Sequence, residues 1–218
     1  MRKRLVLLLV PALLAVAGCT ADTDTDTGPA TTTREKAASS RPSPFADCAD
    51  LGTPPASADL ATPPSSALPE SSRVPGVGKA LPELTLTCFT GGDAVALPDL
   101  RGPAVINVWA SWCPPCRKEL PAFQRLSERT AGQLRVVGVN SRDGRGAAQS
   151  FGEDFGVRFP MLFDQGEAFQ RALERNAIPL TVLVDGQGIV RHVDASGALD
   201  DARLAELVRR HLGVAVPA

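Results

Sequence analysis

The chain has 218 residues, and its 23 Lys and Arg nearly balance its 24 Asp and Glu, for a formal net charge of -1 with the two signs interspersed. Such a balance lacks the basic footprint of a nucleic-acid binder, so no nucleic-acid partner is expected. Hydrophobic residues make up 44% of the chain, the level of an ordinary globular protein, and the length fits one domain plus a tail.

Met1-Arg2-Lys3-Arg4 precedes an apolar run from Leu5 to Ala17, a basic segment and hydrophobic core of signal-peptide length that falls short of the roughly 20 apolar residues of a membrane span. The run closes on Val16-Ala17-Gly18-Cys19, which resembles the bacterial lipobox, where the cysteine is lipidated and becomes the first mature residue. The alternative is an ordinary cleaved signal peptide. Either places the folded part outside the cytoplasm. Residues 1–18 are therefore expected to be a lipoprotein signal peptide that leaves Cys19 as a membrane anchor. Residues 19–44, rich in Thr, Asp, Ala, Ser and Pro, cannot bury enough surface to offset the entropy of ordering and form a flexible tether of some 25–30 Å. Residues 45–80 remain Pro- and Ser-rich and are expected to be an irregular extension.

Regular patterning begins at Leu81. Leu84 to Phe89 alternates, Gly91-Gly92-Asp93 interrupts it and Ala94 to Leu97 resumes, the signature of a hairpin. Pro103 to Trp109 is a nearly continuous apolar run, as in a strand buried on both faces. A helix follows to about Thr130, with Leu120, Phe123 and Leu126 at a spacing of three. Leu134 to Asn140 is the next strand, Ser141 to Gly144 a turn, Gly146 to Phe155 a helix, Met161 to Phe163 a short strand and Glu167 to Arg175 a helix. Leu180 to Val184 and Ile189 to Val193 flank Asp185-Gly186-Gln187-Gly188, a second hairpin. A helix from Asp200 to His211 ends at Gly213. Alternating strands and helices followed by a hairpin predict an α/β fold with a mixed sheet.

Between the strand ending at Trp109 and the helix after it stands Trp112-Cys113-Pro114-Pro115-Cys116. A thiol at a helix N-terminus meets unpaired N–H groups and the positive end of the helix dipole, which stabilise its thiolate, and a second thiol one turn on can close a disulfide with it. The two prolines fit a first helical turn, where their missing N–H groups would have no partner in any case. A structural zinc site would need four Cys or His ligands; no second CxxC and no His-x3–5-His follows, His192 and His211 read as solitary surface residues, and no metal is expected. Cys48 and Cys88 remain. An oxidising compartment favours their pairing, with free thiols or an intermolecular bridge as alternatives.

Asn107 to Pro121, Ile178-Pro179 and the strand-turn-strand around Asp185-Gly186 resemble the thioredoxin superfamily, and within it the TlpA/ResA/CcmG-type membrane-anchored thiol-disulfide oxidoreductases. The resemblance covers residues 81–213. It implies a thioredoxin-like fold with a mixed central sheet, an N-terminal β-hairpin and a central helix-strand insertion. It also makes Cys113 the nucleophile and Cys116 the resolving thiol of a redox-active disulfide, next to Trp112, and matches Pro179 to the family's cis-proline, with Ile178 and Ala177 in the substrate groove. Asn107 replaces thioredoxin's buried aspartate and cannot accept a proton. Glu119, three residues beyond Cys116, matches an acidic residue that tunes the thiols in ResA-like proteins, although a solvated glutamate near a helix N-terminus would look the same. Ala177 and Leu180 depart from the usual glycine and threonine.

The expected function is a lipid-anchored, extracytoplasmic thiol-disulfide oxidoreductase without metal or organic cofactor. Family analogy has it reduce client protein disulfides, such as those of apocytochrome c in cytochrome c maturation, with electrons from a membrane donor protein. The alternatives are an oxidant that forms disulfides in secreted proteins and a thiol-based copper(I) metallochaperone. A copper carrier on this fold usually has CxxxC with a downstream histidine, and a peroxiredoxin has Thr-x-x-Cys at the equivalent junction; neither pattern is present.

Overall fold

The computed structural model describes residues 41–57 and 74–217. The expected signal peptide, the lipid site at Cys19 and most of the tether lie outside the described residues, as do residues 58–73 of the extension. No described helix is long and apolar enough to cross a membrane.

Among the described residues seven strands form one sheet: β1 (Thr85–Cys88), β2 (Val95–Ala96), β3 (Ala104–Trp109), β4 (Arg135–Ser141), β5 (Met161–Asp164), β6 (Leu180–Val184) and β7 (Val190–Asp194). Their spatial order is β2-β1-β5-β4-β3-β6-β7. The central strands β5, β4 and β3 are parallel, and the flanking pairs are antiparallel, which makes the sheet mixed. Among the described residues four α-helices cover it: α1 (Pro114–Arg129), α2 (Arg145–Asp154), α3 (Ala168–Ala172) and α4 (Asp201–Leu212).

Every residue of β3 is buried, and the period-two alternation of a strand sends its side chains to two separate cores. Val105 and Trp109 join the core under α1, α2 and α4, with Phe123, Phe151 and Leu207. Ala104, Ile106 and Val108 join the opposite core, with Leu51, Phe169 and Leu180. Asn107 shares the parity of Val105 and Trp109. Its amide therefore points to the α1 face.

The structure revises several expectations. Of the extension, residues 45–57 and 74–80 pack against the globular body. Phe45 is buried edge-on against Phe89 at 4.9 Å between centroids and sits over Gly152, where any side chain would strike its ring; Leu51 is buried in the second core. Cys48 and Cys88 are joined by a disulfide with Cα atoms 6.0 Å apart, which ties this segment to β1. Lys79 and Ala80 add a short edge to β7, with the Val190 N–H donating to the Lys79 carbonyl at 2.9 Å. Even Arg41 and Pro42, expected in the tether, lie against α2: Arg41 pairs with Glu153 at 3.1 Å and Gln149 donates to the Pro42 carbonyl at 3.1 Å.

The helix expected over 167–175 contracts to Ala168–Ala172, because Glu167 and Glu174 both adopt left-handed backbone at φ 55°. Asp164 takes over its N-terminus, accepting from the Ala168 and Phe169 N–H groups at 3.0 and 2.9 Å. His192 and His211 are not solitary. Packing of α4 on β7 stacks the two half-buried rings at 4.2 Å between centroids.

Candidate active site

The end of β3 passes through Ala110-Ser111-Trp112 to Cys113, which caps α1 in an extended conformation. Pro114 and Pro115 occupy the first two helical positions, so the first free N–H is that of Cys116, and it donates to Cys113 Sγ at 3.2 Å. Cys113 and Cys116 are joined by a disulfide with Cα atoms 5.3 Å apart. Cys113 keeps 2% of its surface exposed and Cys116 none, so Cys113 is the cysteine nearer the outside.

The Ile178-Pro179 peptide bond is cis, and Ile178 packs on the core cluster that contains both cysteines. A second cis bond, Gly102-Pro103, has no counterpart in the sequence reading. Ala177 and Ile178 line a cavity of about 230 Å³, walled opposite by Trp112, with Arg142, Glu167 and Gln170 around it. Trp112 is 55% exposed, unusual for its size, and its indole N–H donates to the Arg142 carbonyl at 2.8 Å.

Glu119 is fully buried, which removes the solvated alternative. Its two oxygens accept from Asn107 Nδ2 at 2.7 Å and from the Leu199 N–H at 3.1 Å. The residue that replaces thioredoxin's aspartate is thus the one that holds Glu119. Burial pushes the Glu119 carboxyl up to about 7, against the lowering effect of the hydrogen bonds from Leu199 and Asn107, and the charge of Asp194 adds to the rise.

The AhpC/TSA family matches residues 77–193, more than half of the chain and the whole of the dithiol region. The chain belongs to that family. Among relatives of this AhpC/TSA-family chain, the thiol-disulfide oxidoreductase ResA of Geobacillus kaustophilus is 30% identical over 138 residues, 62% of this chain and 76% of its own. The thiol:disulfide interchange protein DsbE of Escherichia coli is 35% identical over 120 residues, 53% of this chain and 63% of its own. In structure, a secreted thiol-disulfide isomerase from Corynebacterium glutamicum aligns with a TM-score of 0.52 and 26% identity, over 61% of this chain and 83% of its own. The fold is thioredoxin-like, and the chain is a thiol-disulfide oxidoreductase.

One residue of this region escaped the sequence reading. The sequence places Asp143 of the AhpC/TSA-family chain in a turn, yet it is buried and its carboxylate accepts four hydrogen bonds. Oδ2 accepts from the Ser111 N–H at 2.5 Å and from Asn140 Nδ2 at 2.9 Å; Oδ1 accepts from Ser111 Oγ at 2.7 Å and from the Gly144 N–H at 2.8 Å. The parallel register that sets Trp109 beside Asn140 puts the two strand ends side by side, and Asp143 reaches across from one to the other. Polar residues just past the C-terminal ends of adjacent parallel strands were the available signal.

Proposed function

We propose that this chain is an extracytoplasmic reductant of protein disulfides, anchored to the membrane by a lipid on Cys19, with residues 1–18 as its signal peptide and the segment up to about residue 40 as its tether. Support for the location comes from the N-terminal pattern and from the likeness to a secreted isomerase. Support for the chemistry comes chiefly from one observation: a dithiol whose first sulfur caps a helix, with a buried carboxyl of raised pKa one turn beyond the second.

The reaction starts from the dithiol form. The Cys113 thiolate, stabilised by the Cys116 N–H and the N-terminus of α1, attacks one sulfur of a client disulfide; a mixed disulfide forms and a client thiolate leaves. Cys116 then loses its proton and attacks Cys113 Sγ. The Cys113–Cys116 disulfide forms, the second client thiolate leaves and two electrons have passed to the client, whose thiolates take up the two protons. Glu119, with a pKa near the working pH, is the proton acceptor for Cys116. Trp112 and the Ala177-Ile178-Pro179 segment flank the extended client chain. A membrane electron-donor protein restores the dithiol. Clients such as the haem-attachment cysteines of apocytochrome c follow from the resemblance to ResA- and CcmG-type proteins.

Glu119→Gln tests this assignment. Resolution of the mixed disulfide at pH 7, followed by stopped flow, is expected to slow by about a hundredfold, while attack by Cys113 changes little. Stability provides a second readout. Between its ordinary value of 4.5 and about 7, Glu119 binds its proton more tightly in the native chain than in the unfolded one. Its contribution to stability is therefore complete below pH 4.5 and declines by about 3 kcal/mol as pH rises to 7. Glutamine cannot titrate, so the difference between variant and wild type in urea unfolding should shift by that amount across the window. An unchanged resolution rate would remove Glu119 from the mechanism.

A further inference from the structure

Trp112 forms one wall of the cavity beside the cis-proline segment, and more than half of its surface is free. An indole on a surface loop would ordinarily exchange among rotamers, and a client that needed it in one place would bear the entropy of fixing it. Here two attachments fix it in advance. The backbone before it is held through Ser111, whose N–H and Oγ both donate to Asp143. Its indole N–H is held by the carbonyl of Arg142, the neighbour of Asp143.

Arg142 itself is in the left-handed region, at φ 51°, an unfavourable conformation for a residue with a side chain. Bonds on every side retain it: its N–H donates to the Asp164 carbonyl at 3.1 Å, its guanidinium pairs with Glu167 at 3.1 Å, and Gln165 Nε2 donates to the next carbonyl, that of Asp143, at 2.6 Å. The Asp143 carboxylate makes the first attachment; the second uses the main-chain carbonyl of its neighbour Arg142, and the bonds from Asn140 Nδ2 and the Gly144 N–H to the same carboxylate hold the loop that carries that carbonyl. Four donors converge on the carboxylate, which can accept at both oxygens and offers each of them a partner.

We propose that Asp143 is a positioning residue for client disulfides: it presets Trp112 as a rigid wall beside Cys113, so that a client polypeptide meets a formed groove. This rests on the thiol-disulfide oxidoreductase activity already assigned. A protein disulfide, with chain extending on either side of the attacked sulfur, depends on that wall, whereas a small disulfide touches little beyond the sulfur itself. Asp143 thereby sets the preference of the enzyme for polypeptide over small disulfides.

The test compares second-order rate constants of the reduced full-length protein with insulin and with 5,5′-dithiobis(2-nitrobenzoate). In Asp143→Asn one amide N–H₂ replaces an acceptor and faces donors, and the ratio of the insulin rate to the small-disulfide rate is expected to fall by about fivefold or more. Ser111→Ala, which removes one donor and leaves the backbone bond, should lower the ratio less and in the same direction; it decides the matter should the Asp143 variant fail to fold. In a Trp112→Ala background, Asp143→Asn should leave the ratio unaltered, because the two residues act as one unit. An unchanged ratio in the single variants, or losses that add across the double variant, would overturn the proposal. A wild-type protein inert toward both disulfides would instead strike at the oxidoreductase activity.

Discussion

Cys113→Ser is expected to lower the reduction of insulin disulfides by roughly a thousandfold or more, since a serine hydroxyl neither ionises near neutral pH nor forms the mixed disulfide. The asymmetry between the cysteines gives this prediction its direction. Cys113 has the residual exposure and the cap position, and Cys116 is sealed beneath it. Cys116→Ser should therefore still attack a client disulfide once through Cys113 and then stall as the mixed disulfide. The replacement at Cys113 leaves the α1 N-terminus capped, because serine is itself a favoured cap residue, so the loss reports chemistry and not folding. Activity within tenfold of wild type in Cys113→Ser, measured by the turbidity of reduced insulin, would rule out Cys113 as the nucleophile.

Removal of the other disulfide should act on stability instead. In Cys48→Ala with Cys88→Ala, the loss of a cross-link between residues 40 positions apart is expected to destabilise the fold by about 4 kcal/mol in the chain-entropy picture. The midpoint of thermal unfolding should fall by roughly 8–16 °C. The structural reason lies in what the bond secures. Phe45 and Leu51 reach two different cores from residues 45–57, which are described and hold no α-helix or β-strand, and without the link their burial must hold this stretch alone. Cys48 and Cys88 belong to the core opposite the dithiol, so disulfide reduction at 25 °C should persist in the double variant. A midpoint within 3 °C of wild type would contradict the account. Calorimetry measures it.

The fold was legible where burial is periodic. β3 announces itself because six successive side chains are buried, and the helix after the cysteines because Leu120, Phe123 and Leu126 share a face. Phe45 and Leu51 gave no such signal, being single apolar residues amid proline and serine. The short α3 misled for a related reason: Phe169 and Leu173 have helical spacing, yet left-handed Glu167 and Glu174 end the helix on both sides. In the site, Pro179 was found through the family resemblance, whereas the thiols could be found from local sequence, because cap and spacing are local features. The surroundings of Glu119 could not. The Leu199 N–H that holds it comes from 80 residues away, and Asn107 comes from a neighbouring strand. Asp143 was hidden by its own neighbours, since Asp-Gly is a turn signal and only the register of β3 against β4 reveals what the carboxylate meets.

The most direct test of the central claim is the reduction potential of the Cys113/Cys116 pair, measured by equilibration with glutathione or dithiothreitol buffers. A reductant of client disulfides requires a value well below the surrounding oxidising poise, nearer the roughly -270 mV of thioredoxin than the disulfide-forming range. A value close to about -120 mV, that of the strongest oxidants on this kind of dithiol, would contradict the account and make the chain a donor of disulfides.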